Sequence, residues 1–343
     1  MKKKWISAAL AAVLAVSLAG CAGNAAAASS GTSQAAQSSA SAAKEKITFV
    51  LDWTPNTNHT GLYVAQSKGY FAAQGLDVEL VQPPEDGATA LVGSGKAQLG
   101  IDFQDSLAPA FQSKTAVPVT AVAAVLQHNT SGIISRKSKG ITSPKKLEGK
   151  TYATWDLPVE KAIIKSVMTK DGGDFSKLKM APTTVTDVVA ALKTNIDAVW
   201  IFYAWDGIAC KVKGLETNYF QFKDIDPVFD YYTPVIIANN SFLKNKPETA
   251  KKFLAAAKQG YEYAIAHPQE AADILCKASP ELDKQIVLES QKWIGGQYKA
   301  EASRWGYIDP KRWNAFYQWL DDNKLVTESI PAGTGFSDDY LPQ

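Results

Sequence analysis

Residues 47–81 read ITFVLDWTPNTNHTGLYVAQSKGYFAAQGLDVELV, and their order decides the fold. Ile47–Asp52 is an apolar run ending on a carboxylate, which predicts a short strand. The polar loop 54–61 follows, then a helical pattern over Leu62–Gln74 that Gly75 ends, then a second strand over Leu76–Val81. A strand followed by a helix and another strand pairs in parallel, because the helix carries the chain back along the sheet. The rhythm continues with a helix pattern at Glu85–Ser94, a strand at Gln98–Asp102 that again ends on a carboxylate, and the β-branched run Val117–Leu126.

After a loop at 135–148 the rhythm restarts. Thr151–Thr154 predicts a strand and Pro158–Lys170 a helix with proline in its first turn. Thr186–Leu192 predicts a short helix, Ala198–Phe202 a strand, Tyr203–Lys213 a helix, and Tyr232–Ala238 another β-branched run. From about Lys246 the chain reads as amphipathic helices, whose tryptophans from Trp293 onward are expected in the core. The fold class is therefore α/β, with two lobes, each with its own sheet, and a cleft between them. In open α/β sheets, ligands sit beyond the carboxyl ends of the strands. That geometry selects residues 52–59, 82–86, 102–106, 155–160, 200–206 and 230–233.

Composition narrows the function classes. The 343 residues are 46% hydrophobic and 20% charged, which is ordinary globular composition. The net charge of +2 falls to −1 without Lys2, Lys3 and Lys4 (33 basic against 34 acidic residues), so a nucleic-acid partner is not expected. Residues 1–21, MKKKWISAALAAVLAVSLAGC, combine a basic start with an apolar run too short to span a membrane. Leu18-Ala19-Gly20-Cys21 resembles the lipobox of bacterial lipoproteins, which implies cleavage after residue 20 and lipid on Cys21. An ordinary secretory signal with a chance cysteine is the alternative. Residues 21–45, mostly Ala, Ser and Gly, then form a tether, placing the body outside the cell membrane. Cys210 and Cys276 are expected as free buried thiols rather than a disulfide.

DWTPNTNHTG (52–61), LYVA (62–65), KGYF (68–71), GSGK (93–96), WIFYAWDG (200–207) and DYYTPVII (230–237) resemble one family. It is the thiamin-pyrimidine-precursor branch of the type 2 periplasmic-binding fold, and the likeness runs from about 46 to 325. The resemblance is nearest to the formylaminopyrimidine-binding lipoproteins of thiamin-salvage ABC importers. It implies a two-lobe receptor for N-formyl-4-amino-5-aminomethyl-2-methylpyrimidine, with an ABC permease as partner, no cofactor and no metal. The lobes are expected at 46–130 with 233–343, and at 131–232, closing about hinges near 127–132 and 232–238. A monomer is expected. A fungal branch of the same fold is enzymatic and makes a related pyrimidine from pyridoxal phosphate and a histidine that aligns with His59. Its CCCFC-type motif is missing here. A receptor for another solute, such as a sulfonate or a flavin-like ring, is the third reading.

An aminopyrimidine wants aromatic faces to stack on, a carboxylate to accept from its amine, and donors for its ring nitrogens. The selected loops supply Trp53, Tyr63, Trp155, Tyr203, Trp205 and Tyr232 as faces, Asp52, Glu160 and Asp206 as carboxylates, and Asn56, Asn58 and His59 as polar groups. Trp200 and Phe202 share a strand face that is expected to be core, and of Tyr231 and Tyr232 only one should face the cleft. The chain has three arginines, Arg136, Arg304 and Arg312, and none is in these loops, which weakens an anion-binding reading.

Overall fold

In the computed structural model, which describes residues 43–343, β1 (Glu45–Val50) pairs in parallel with β2 (Leu76–Val81) along its whole length. On its other side it pairs in parallel with β3 (Leu99–Asp102). The first sheet has the order β2-β1-β3-β10-β4, with β4 at Val119–Ala124 and β10 at Val235–Asn239. β10 lies antiparallel between β3 and β4. The second sheet has the order β7-β6-β8-β5-β9. Its strands are β5 (Ser131–Arg136), β6 (Thr151–Thr154), β7 (Lys179–Pro182), β8 (Ala198–Phe202) and β9 (Thr217–Gln221). Pro182 ends β7 at a sheet edge, where its missing N–H costs no ladder bond.

Two connections join the sheets, one from β4 to β5 and one from β9 to β10, and they run side by side. Val125 N donates to Pro234 O at 3.0 Å, and Asn129 Nδ2 donates to Phe229 O at 2.8 Å.

Several elements differ from the sequence reading. The expected helix over 62–74 is two helices, Thr60–Ser67 and Tyr70–Ala73, because Gly69 adopts φ 74° between them. The first residues of the expected 135–148 loop belong to β5, whose pairing with β8 and β9 is long-range. The expected helix at Tyr203–Lys213 opens with a π-helical turn, Tyr203–Gly207, before the α-helix Ile208–Val212.

The C-terminal helices Pro247–Ala266 and Pro268–Ala278 pack against the first sheet's layer, and Lys284–Lys299 packs on them and also on residues 203–212, which follow β8 of the second sheet. Contact between Thr60–Ser67 and Pro247–Ala266 is close enough to require glycines. A Cβ on Gly260 would lie 1.9 Å from Gly61 O, and one on Gly61 would lie 2.3 Å from the Tyr261 ring. Tyr261 stacks on Trp305 at 4.6 Å, and Trp305 and Trp313 are fully buried, whereas Trp293 and Trp319 are only partly so. Cys210 and Cys276 are free and buried, as expected. Among the described residues no helix is long and apolar enough to cross a membrane. The signal segment, Cys21 and nearly all of the tether lie outside the described residues.

Candidate functional site

β1 and β3 pair with Val50 opposite Gly100, so the next residues of the same face, Asp52 and Asp102, end adjacent strands side by side. Neighbouring strands lie about 4.8 Å apart. Asp102 is held by Thr89 and by Phe103 N, which donates to Oδ1 at 2.7 Å. Burial, with the Asp52 charge adding, pushes the Asp102 carboxyl above the usual range. Three residues on, burial raises the Asp105 carboxyl to about 6, and the Asp102 charge again adds. Tyr231 reaches Asp105 with its hydroxyl at 3.5 Å. The first sheet thus ends in an acidic floor.

His59 is completely buried and serves that floor from behind. Its Nδ1 accepts from Asn56 N at 3.2 Å, so the ring proton sits on Nε2, which meets Asp52 Oδ1 at 2.6 Å. Asn56 and Asn58 shape the turn: Asn56 Oδ1 accepts from Asn58 N at 2.9 Å, and Asn58 O accepts from Tyr261 Oη at 2.7 Å. The turn is pinned further by Tyr298, which donates to Thr57 O, and by the Thr57–Ser290 hydroxyl pair at 2.6 Å.

The second sheet contributes aromatic rings. Trp155 is 40% exposed and lies 5.7 Å from the Trp200 ring. It sits in a tight turn in which Asp156 takes φ 66°. Phe202, at the end of β8, stacks at 5.6 Å and 12° on Phe103, at the end of β3, so one aromatic pair bridges the two sheets. Trp53 is 57% exposed at the end of β1. These placements bring together Asp52, Trp53 and His59 in one loop, and set Trp155 against Trp200, two residues before Phe202 on β8.

Other expected site residues are placed elsewhere. Glu160 is buried and its carboxylate is spent on the protein. Oε1 accepts from Tyr152 Oη (2.6 Å) and Trp155 N (3.2 Å), and Oε2 from Thr154 Oγ1 (2.8 Å) and Leu157 N (3.4 Å). Four donors saturate a carboxylate, so Glu160 holds the Trp155 turn instead of offering an open acceptor. Tyr232 is also core: its hydroxyl accepts from Asp309 N at 2.8 Å and Arg312 lies over its ring. Of the two neighbouring tyrosines it is Tyr231 that points to the acidic floor. Tyr63 and Trp205 pack against the side cluster of Ala272, Leu275, Cys276 and Val287. Tyr203 packs between Tyr219 and Trp293, at 4.8 and 5.0 Å.

Phe103 and Asp105 were not singled out from the sequence, and Phe202, expected in the core with Trp200, is only partly buried and stacks on Phe103, although the strand-end rule spans all three positions. Alternation alone cannot tell a ring that bridges two sheets from one that lies inside a core.

Arg312 lies over Tyr232 and 3.6 Å from Asp230, in the 230–233 segment, but among the described residues no arginine is paired with Asp52, Asp102 or Asp105. Arg136 ends β5 opposite Thr217, and Arg304 acts on Asp338. Arg312 holds Gln127 O at the sheet connections. Lys161, in the helix that follows the Trp155 turn, is paired with Asp156 at 2.5 Å.

The NMT1/THI5-like family profile matches residues 56–271. A formylaminopyrimidine-binding protein of Halalkalibacterium halodurans is 29% identical, with 86% of this chain and 90% of that protein covered. A 4-amino-5-hydroxymethyl-2-methylpyrimidine phosphate synthase of Candida albicans is 30% identical, with 66% of this chain and 69% of that protein covered. Among solved structures, the periplasmic aliphatic sulphonate binding protein SsuA of Escherichia coli superposes with a TM-score of 0.66 at 13% identity, covering 87% of this chain and 94% of that one. The profile spans more than half of the sequence, so the chain belongs to the NMT1/THI5-like family, on the fold of the periplasmic binding proteins.

Proposed function

We propose that this chain is the extracytoplasmic receptor of an ABC importer and captures a thiamin-derived formylaminopyrimidine. The observation that carries the reading is the pairing of an acidic floor with aromatic rings, with no arginine paired to that floor among the described residues. Asp52 and Asp102 at adjacent strand ends suit the exocyclic amine and any protonated ring nitrogen of an aminopyrimidine. Trp155, Phe103 and Phe202 suit its flat faces. A sulfonate would meet carboxylates instead of a guanidinium fork. The name of the 29%-identical relative supports the same solute class.

In this reading the segments 46–130 with 233–343 and the segment 131–232 are lobes that close on the solute. The connections near 127–132 and 232–238 act as hinges, Cys21 carries the lipid anchor, and a permease receives the closed form. His59 argues against synthase chemistry, because a fully buried imidazole with both nitrogens engaged is poorly placed to react.

The test is a titration of the chain with the formylaminopyrimidine, followed by tryptophan fluorescence and calorimetry. Binding at roughly micromolar or tighter, with taurine and sulfate inert, supports the receptor. No binding sinks the assignment. Incubation with pyridoxal phosphate and mass analysis of the His59 peptide tests the enzyme: modification or loss of the imidazole would favour it.

A further inference from the structure

β5 and β8 pair antiparallel with Ser131 opposite Phe202 and Ile133 opposite Trp200. Side chains alternate along a strand, so Ser131, Ile133, Trp200 and Phe202 share one face of the second sheet. The end of that face is the aromatic cluster: Phe103 stacks on Phe202, and the half-exposed Trp155 leans on Trp200. Trp200 is therefore one ring away from solvent.

Two polar atoms on this face are unspent. Ser131 is fully buried and Trp200 is 5% exposed, yet among the described residues neither Ser131 Oγ nor Trp200 Nε1 has a hydrogen-bond partner. Buried polar groups are nearly always paired, and an indole N–H can only donate. Another of the unpaired buried atoms, Trp305 Nε1, belongs to the separate core around Tyr261 and serves as an internal control.

We propose that the Trp200 indole N–H and the Ser131 hydroxyl determine specificity in the solute site, hydrogen-bonding acceptor atoms of a flat heteroaromatic ring that enters beside Trp155. The inference rests on the receptor reading above and deepens it. The first sheet's carboxylates take the donors of such a ring and the second sheet takes its acceptors. A ring bearing both on its edges is held from the two sides, whereas an all-carbon ring of the same size leaves Trp200 and Ser131 unpaired.

The experiment compares full-length wild type in detergent with Trp200→Phe, Ser131→Ala and Trp305→Phe, by calorimetry with the formylaminopyrimidine and by thermal unfolding without it. The expected result is a loss of affinity of about 5–100-fold for Trp200→Phe and about 5-fold or more for Ser131→Ala, with Trp305→Phe unchanged. Ligand-free unfolding temperature should hold or rise for Ser131→Ala, which removes an unpaired buried hydroxyl, and should fall for Trp200→Phe and Trp305→Phe, which each leave a cavity in the core. Indole N–H spectra of the wild type provide a second readout, independent of whether Trp200→Phe folds. A marked downfield move of the Trp200 resonance on ligand addition supports the proposal. Wild-type binding with Trp200→Phe within twofold, or with an unmoved Trp200 resonance, overturns it while leaving the receptor reading intact. Failure of wild type to bind overturns both.

Discussion

His59 donates from Nε2 to Asp52 Oδ1 across 2.6 Å while its Nδ1 accepts from Asn56 N. The loop that looks like a ligand-contact cluster in the sequence is thus a nested arrangement: Asn56 fixes the imidazole, and the imidazole fixes the carboxylate. In the proposed receptor, Asp52 is the group of this loop that would meet the solute. Asp52→Asn should weaken pyrimidine binding by about 10–100-fold, the worth of a charge-assisted hydrogen bond, with little change in unfolding temperature. His59→Ala should instead lower stability by about 1–3 kcal/mol, because it leaves buried partners unpaired. Calorimetry and thermal unfolding on both variants separate the roles. Wild-type affinity in Asp52→Asn would remove Asp52 from the site.

At the sheet connections His128 has a carboxylate on each nitrogen: Asp230 Oδ2 is 2.7 Å from Nδ1 and Glu301 Oε2 is 2.9 Å from Nε2. Both nitrogens must donate, so the ring is an imidazolium, and the Asp230 hydrogen bond leads in raising its pKa. Arg312 lies 3.6 and 3.9 Å from the same two carboxylates, and Asn129 N donates to Asp230 Oδ1. A raised folded-state pKa contributes stability that is fully present below the unfolded value, about 6.5, and is lost as pH rises through the folded value. Unfolding temperature should therefore fall as pH rises above about 6.5, and His128→Asn should flatten that slope. An unchanged slope in the variant would assign the pH dependence elsewhere.

Glu160 closes a buried ring of four donors that shapes the Trp155 turn. Glu160→Ala should cost about 2–4 kcal/mol, combining a lost helix cap with unpaired buried donors. The loss should show in ligand-free unfolding. A variant with wild-type stability and abolished binding would return Glu160 to the role of direct contact.

The parallel pairing of β1, β2 and β3 is legible because strand–helix–strand spacing is local and both carboxylate-ended runs stand out. β5, β7 and β9 escaped notice, since an inserted antiparallel strand and two edge strands acquire their character from partners distant in sequence. The same limit governs the site. Asp52 is readable as a strand-end carboxylate. Saturation of Glu160 depends on Tyr152 and Thr154 turning inward together, and the burial of Tyr232 depends on Asp309 and Arg312, some 80 residues on. Aromatic residues in DYYTPVII and WIFYAWDG look alike as letters, and only long-range packing sorts bridging rings from core rings.

Asp105 tests whether the acidic floor is kept at a cost to the fold. Burial raises its carboxyl to about 6, with the Asp102 charge adding, so the folded chain holds a proton there that the unfolded chain releases near 3.9. Stability contributed by that proton is present below the unfolded value and is lost as pH climbs from about 4 towards 6. Asp105→Asn stays neutral throughout. It should unfold at a higher temperature than wild type at pH 7 and at nearly the same temperature at pH 4. If Asp105 also serves the solute's amine, the variant binds more weakly at pH 7 despite its greater stability. Thermal unfolding at the two pH values and calorimetry at pH 7 decide both points: equal stability at pH 7 would place Asp105 in ordinary solvent, and a more stable variant with wild-type affinity would make its charge a structural burden without a role in binding.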